Sequence, residues 1–163
     1  MTDSFFQRVL VPIANRDDAR ATTAALAPHV DAASSTVIAV HVIEKAGGAP
    51  DKASVEQREL VAQDIFAVVT DGLADIRATV ETQTLYGTDI TTTLIETAHE
   101  TEATAIVFPP RGGSRWKKLL AGDVTHNLLN SSDLPVITLP RPSDDRYLSS
   151  IDECDQSDTP EHS

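Results

Sequence analysis

Three stretches of this chain are almost unbroken runs of aliphatic residues, and they restrict the fold more than any other feature. They are Arg8–Ile13 (RVLVPI), Thr36–Ile43 (TVIAVHVI) and Ala103–Phe108 (ATAIVF). A strand with one face in water alternates apolar and polar side chains, whereas a run without alternation is buried on both faces. Strands of that kind form parallel sheets covered by helices on both sides. Ala78–Leu85 is read as a further strand of the same sheet, and Pro135–Leu139 as the fifth. The first three strands and Ala103–Phe108 are all expected to be buried.

Helical spacing fills the intervals. Asp17–Ala33 carries apolar positions at Ala21, Ala24, Ala25 and Val30. Ser54–Ala74 places Val55, Leu60, Ile65, Val68, Val69 and Leu73 on one broad face. Asp89–Glu100 and Asp123–Asn130 complete the alternation. Strand–helix alternation predicts a doubly wound α/β domain, with five mostly parallel strands and helices on both faces. Ligands of such sheets bind beyond the carboxyl ends of the strands, where the strand order reverses. Those ends are Ile13–Ala14, Val42–Ile43, Leu85–Gly87 and Phe108–Gly113.

Residues 1–140 are read as this one domain. From Arg141 the composition changes: residues 141–163 hold seven acids and two arginines among few large apolar residues. An acidic, disordered tail is expected, with a docked helix through Tyr147, Leu148 and Ile151 as the alternative. The lone cysteine, Cys154, excludes an internal disulfide and a cysteine metal cluster. It is read as an exposed thiol. No stretch approaches the roughly 20 apolar residues that span a bilayer, and no apolar signal segment is seen, so a cytoplasmic protein is expected.

The net charge is −12, from 25 acids and 13 bases. Such a surface repels nucleic acid and anionic membranes. Asp outnumbers Glu by 16 to 9 and Arg outnumbers Lys by 9 to 4, which points to a salt-adapted cytoplasm. Against this background four bases, Arg111, Arg115, Lys117 and Lys118, fall within eight residues beside Gly112, Gly113 and Ser114. Glycine N–H groups flanked by arginines can hold an anion. The alternative is that these bases offset acidic neighbours or join a dimer. Trp116 is read as covering the core edge.

The segments VLVPI, AVHVI, YGTDITTTLIETAHETEATAIVF and RGGSRWKKLLAGDVTHNLLNSSDLPVITL together resemble the universal stress protein family, from Arg8 to Leu139. In that family the fourth strand is followed by Gly, two residues, Gly, nine residues, Gly and then Ser or Thr. Here those positions fall at Pro109, Gly112, Gly122 and Asp123. The resemblance implies an adenine nucleotide alpha hydrolase-like fold and a site for ATP or another adenine nucleotide. Pro12, Ile13 and Ala14 would lie by the adenine and ribose, with Val42 and Phe108 against the base. Arg111, Gly112, Gly113, Ser114, Gly122, Asp123, Val124 and Thr125 would surround the ribose and phosphates. The resemblance also implies a homodimer through Pro135–Leu139, which would cover an apolar edge strand.

Three residues depart from the family pattern. Ala14 stands where an acid usually ends the first strand. Pro109 replaces a glycine and removes one N–H donor. Asp123 replaces a hydroxyl. An Asp capping a helix takes up the free N–H groups and the positive end of the dipole, which are what a phosphate would use. Like charges about 4 Å apart repel by about 4 kcal/mol near a protein surface. Asp123 is therefore expected to close the site to a triphosphate, unless a bound Mg²⁺ recruits it as a ligand.

The favoured reading is a regulatory or ligand-binding module with an altered nucleotide site. One alternative is that the cleft has lost ATP and binds another anion or a protein partner. The other is a slow nucleotide hydrolase using Asp123 and His126. A triad of Ser114, His126 and Asp123 has no supporting nucleophile-elbow pattern. His29, His41, His99, His126 and His162 show no metal-ligand spacing. His41 is read as a satisfied core residue and His126 as helix surface.

Overall fold

A computed structural model describes residues 4–45, 52–108 and 123–139, with side chains except at 4, 52, 53 and 123–125. Five strands form one parallel sheet: β1 (Arg8–Pro12), β2 (Thr36–Glu44), β3 (Thr79–Gly87), β4 (Ala105–Phe108) and β5 (Val136–Thr138). Their order across the sheet is β3-β2-β1-β4-β5. Four helices connect them: α1 (Arg16–Leu26), α2 (Lys52–Leu73), α3 (Ile90–Glu100) and α4 (Asp123–Ser131). This is the doubly wound α/β architecture that the sequence predicts.

Strand parity divides the core into two. Val9, Val11 and Ile13 of β1 and its end, with Val37, Ala39, Ala105 and Val107, pack against Ala19, Ala25 and Leu26 of α1 and Ile65, Val69 and Leu73 of α2. The intervening residues Leu10, Ile38, Val40, Ile106 and Phe108 pack against Leu94 and Ala98 of α3 and Leu128 of α4. Neighbouring positions on one strand thus serve opposite layers, as a period of two requires. α1 and α2 approach closely at Gly72, where a Cβ would stand 2.8 Å from Thr23 Oγ1.

Some boundaries differ from the sequence reading. The helix expected over Asp17–Ala33 ends at Leu26 and passes into a 3₁₀ turn, Ala27–His29. Pro28 explains this, because it has no N–H to continue the α-helical ladder. β4 starts at Ala105 and β5 spans three residues, both shorter than expected. β3 corrects the expectation of burial. It is an edge strand in which Glu81, Thr82 and Gln83 are exposed, and Leu85 is its buried residue. Its sequence, TVETQTLYG, is the polar pattern of an edge. Glu81 pairs with Arg8 of β1 at 3.0 Å.

Candidate functional site

The strand order reverses between β1 and β4. From β1 the chain moves outward to β2 and β3, and from β4 it moves the other way to β5. The crevice beyond the carboxyl ends of β1 and β4 is the place where a sheet of this topology receives a ligand.

The β1 side of that crevice is held by hydrogen bonds to both sides of one peptide unit. Ile13 N donates to Val40 O of β2 at 2.9 Å, which prolongs the ladder one residue past Pro12. The Ile13 carbonyl meets His41 Nδ1 at 2.8 Å. A carbonyl can only accept, so Nδ1 carries the proton there. Ala14 N donates to Asp18 Oδ2 at 2.7 Å. The carbonyl and N–H of the Ile13–Ala14 peptide are therefore each taken by a side chain, one from β2 and one from α1. Pro12 and Ala14 are half-buried and Ile13 is buried in the first core cluster.

Asp18 belongs to an N-terminal capping arrangement. Asn15 caps α1, and its Oδ1 accepts from Asp18 N at 2.9 Å. An Asn followed three residues later by an acid brings the acid back over the cap. Here that geometry carries the carboxylate under the helix rather than into water: Asp18 is 1% exposed. Among the described residues its Oδ1 has no hydrogen-bond partner, and neither has the buried Thr22 Oγ1 one turn further along α1. Burial raises the Asp18 carboxyl from 3.8 to about 7, while the backbone donors of Ala14 and Asn15 act to lower it. From the sequence, Ala14 removes an acid from this end of β1. An acid is nevertheless present, supplied by α1 four residues later. The Asn15–Asp18 spacing is the sequence signal for it.

On the β4 side, Phe108 is 4% exposed and joins the second core cluster, against which Val42 of β2 also packs. The two residues expected against a base thus share one layer, opposite to that of Ile13. α4 is described from Asp123 onward. The side chains of Asp123, Val124 and Thr125 lie outside the described residues. So do Pro109, Arg111, Gly112, Gly113, Ser114, Arg115, Trp116, Lys117, Lys118 and Gly122, along with the tail and Cys154.

The histidines have separate surroundings. His126 is exposed on α4 beside Asn130, at 3.0 Å. His99 pairs with Asp133 at 2.8 Å, and His29 stacks on Phe6 with ring centroids 5.4 Å apart. His41, expected in the core, is half-buried and uses one ring nitrogen on Ile13. Among the described residues no three His, Cys, Asp or Glu side chains converge as metal ligands. None of their helices is long and apolar enough to cross a membrane.

A model of the universal stress protein family matches residues 5–140 of the sequence. Solved structures agree in fold. A universal stress protein from Archaeoglobus fulgidus in complex with dAMP is 19% identical, with a TM-score of 0.54 over 83% of this chain and 98% of the other. An Arabidopsis thaliana family protein with AMP bound is 16% identical, with a TM-score of 0.60 over 85% and 94%. A universal stress protein in complex with cAMP is 20% identical, with a TM-score of 0.58 over 83% and 97%. Among curated proteins, none matches. The chain belongs to the universal stress protein family.

Proposed function

From that membership we propose that the chain is a homodimeric regulatory or ligand-binding module whose crevice takes an adenine nucleotide through an altered motif. The observation that carries this reading is the position of the crevice, between β1 and β4 where the strand order reverses. Family proteins of the same fold hold AMP, dAMP or cAMP, which supports the ligand class. Pro12, Ile13 and Ala14 would border the adenine and ribose, and Val42 and Phe108 the base. Arg111, Gly112, Gly113, Ser114, Gly122, Val124 and Thr125 would border the ribose and phosphate.

Asp123 sets the phosphate preference in this reading. A carboxylate on the first residue of α4 competes with a phosphate chain for the helix N-terminus. A monophosphate is preferred over a triphosphate. Titration calorimetry with AMP and ATP tests both statements. The wild type binds AMP more tightly than ATP, and Asp123→Ser raises ATP affinity about tenfold, or about 1.4 kcal/mol. If neither nucleotide binds wild type or variant, the nucleotide reading falls. If ATP affinity is the same in both, the role given to Asp123 falls.

The dimer would form at β5. This strand pairs with β4 on one side, and its other edge carries half-buried Val136 and Ile137. A partner strand there would remove an apolar edge. Light scattering gives twice the chain mass if this is right, and a monomer across the micromolar range would remove the proposal.

A further inference from the structure

A second concavity lies on the other side of the β1 end. It has a volume of about 330 Å³ and is lined by His41 of β2 and by Ser54, Gln57, Arg58 and Val61 of α2. His41 and Val42 point to opposite faces of the sheet, because they are neighbours on one strand. The pocket therefore sits in the α1–α2 layer, whereas Val42 and Phe108 pack in the α3–α4 layer. It is not the crevice to which the nucleotide is assigned.

Its chemistry is asymmetric. Arg58 makes no ion pair among the described residues, although the chain carries a net charge of −12. Its guanidinium is held over the end of β2 by one N–H donated to Glu44 O at 3.4 Å. That weak contact leaves the other donors of the five-donor fork without a partner among the described residues, on a side chain that lines the pocket. Gln57, one residue earlier, adds an amide. Opposite in character is Val61, one turn beyond Gln57, which is 47% exposed and gives the pocket an apolar wall. The His41 ring forms part of the same lining. Its Nδ1 proton is committed to the Ile13 carbonyl, so in the neutral ring Nε2 presents a lone pair.

We propose that this pocket binds a small organic carboxylate, gripped at its anionic end by Arg58 and Gln57, with its apolar body against Val61 and the His41 ring. A hydroxyl or amine on that body would find an acceptor at His41 Nε2. An inorganic anion would satisfy Arg58 and leave Val61 uncovered, which disfavours phosphate as the occupant. Because the same imidazole holds the Ile13 carbonyl, occupancy reaches the end of β1 through one hydrogen bond.

The probe is 4-hydroxybenzoate, which joins a carboxylate, an apolar ring and a hydroxyl. Titration of the full chain is followed by NMR at the His41 ring protons, the Gln57 and Arg58 amides and the Ala14 amide. Phenol, which lacks the carboxylate, and inorganic phosphate, which lacks the apolar body, are run in parallel. Saturable shifts are expected at these positions with 4-hydroxybenzoate. Arg58→Gln is expected to weaken binding by about tenfold or more, since it removes a charge-assisted contact. Val61→Asp weakens it similarly. Arg58 and Val61 are exposed, so unchanged urea midpoints verify that both variants fold. The proposal is overturned by an absence of saturable shifts, by an Arg58→Gln variant that binds equally well, or by phenol or phosphate binding as tightly as the probe. An AMP titration of the same sample reads the nucleotide crevice separately. Loss of AMP binding alone leaves this pocket standing, and loss of carboxylate binding alone leaves the crevice standing.

Discussion

The two strands that frame the crevice, β1 and β4, end in contrasting ways. Beyond Pro12 the chain is tied down at once. Ile13 is bonded to Val40 and His41, Ala14 to Asp18, and the helix starts two residues later. Asp18 anchors Ala14 through Oδ2 and is itself buried, while its other oxygen, Oδ1, has no partner among the described residues. β4 ends instead on an aromatic residue seated in the core, Phe108, followed by the glycine- and base-rich segment that precedes α4. One wall of the crevice is thus defined by hydrogen bonds and a buried acid, and the other by apolar packing before a polar segment. In a low-dielectric setting a polar network is sensitive to pH and to single atoms, whereas apolar packing responds to volume.

The sharpest test of the β4 side is volume. Phe108→Ala should cost about 3–5 kcal/mol, because it empties a core position at the junction of β4 with α3 and α4. Urea denaturation at neutral pH measures it. A loss under about 1 kcal/mol would show that the core closes around the gap and that Phe108 does not define this wall.

The β1 side should instead respond to protons. The Asp18 carboxyl moves from 3.8 to about 7 on folding. Between those values the folded chain binds more protons than the unfolded chain, so this group makes stability fall as pH rises, and the penalty is complete above pH 7. Asp18→Asn removes the titration and keeps an oxygen for Ala14 N. Relative to wild type, the variant should gain stability progressively from about pH 4 to pH 7, on the order of 2–4 kcal/mol across the window. Parallel urea midpoints over that range give the difference directly. Parallel curves for the two proteins would mean that Asp18 stays ionised in the folded chain, and the contrast between the two walls would disappear.

The sequence made one of these walls more legible than the other. The three aliphatic runs, the glycine spacing around Gly112 and Gly122 and the departure at Asp123 are local patterns, and local patterns survive in one dimension. The aliphatic runs were enough for the sheet and its layers, whereas Gly112, Gly122 and the side chain of Asp123 lie outside the described residues. The exposure of β3 departs from the expectation, although TVETQTLYG states it, because that expectation extends to β3 the burial that the aliphatic runs alone carry. Asp18 was missed for a different reason. The Asn15–Asp18 spacing in NRDDA brings Asp18 over the cap but does not say that its carboxyl is buried; Asp17 is exposed and Asp18 is buried because the α1 phase is set by Ala19, Ala25 and Leu26 packing on the sheet. Likewise, His41 in an aliphatic run suggested a core residue, and only the β1–β2 register, with Pro12 opposite Val40, brings its ring to the Ile13 carbonyl. Burial and partner choice for polar side chains depend on tertiary phase, which periodicity does not carry.

His41 supplies the smallest effect and the most local one. His41→Leu keeps the ring's bulk in part and removes the N–H, which leaves the Ile13 carbonyl with one donor fewer. The expected cost is about 1 kcal/mol, the usual net value of such a bond at a half-buried site. His41→Gln, which offers an amide N–H, should recover part of it. A stability loss alone would not separate the bond from packing, so amide hydrogen exchange at Ala14 is the deciding measurement. Ala14 N shares its peptide unit with the Ile13 carbonyl and is itself bonded to Asp18. If the peptide is clamped from both sides, Ala14 exchanges faster in His41→Leu than in wild type and returns toward wild type in His41→Gln. Equal protection in all three would place the whole restraint on Asp18. The β1 wall would then rest on one buried acid rather than on a pair of opposed side chains.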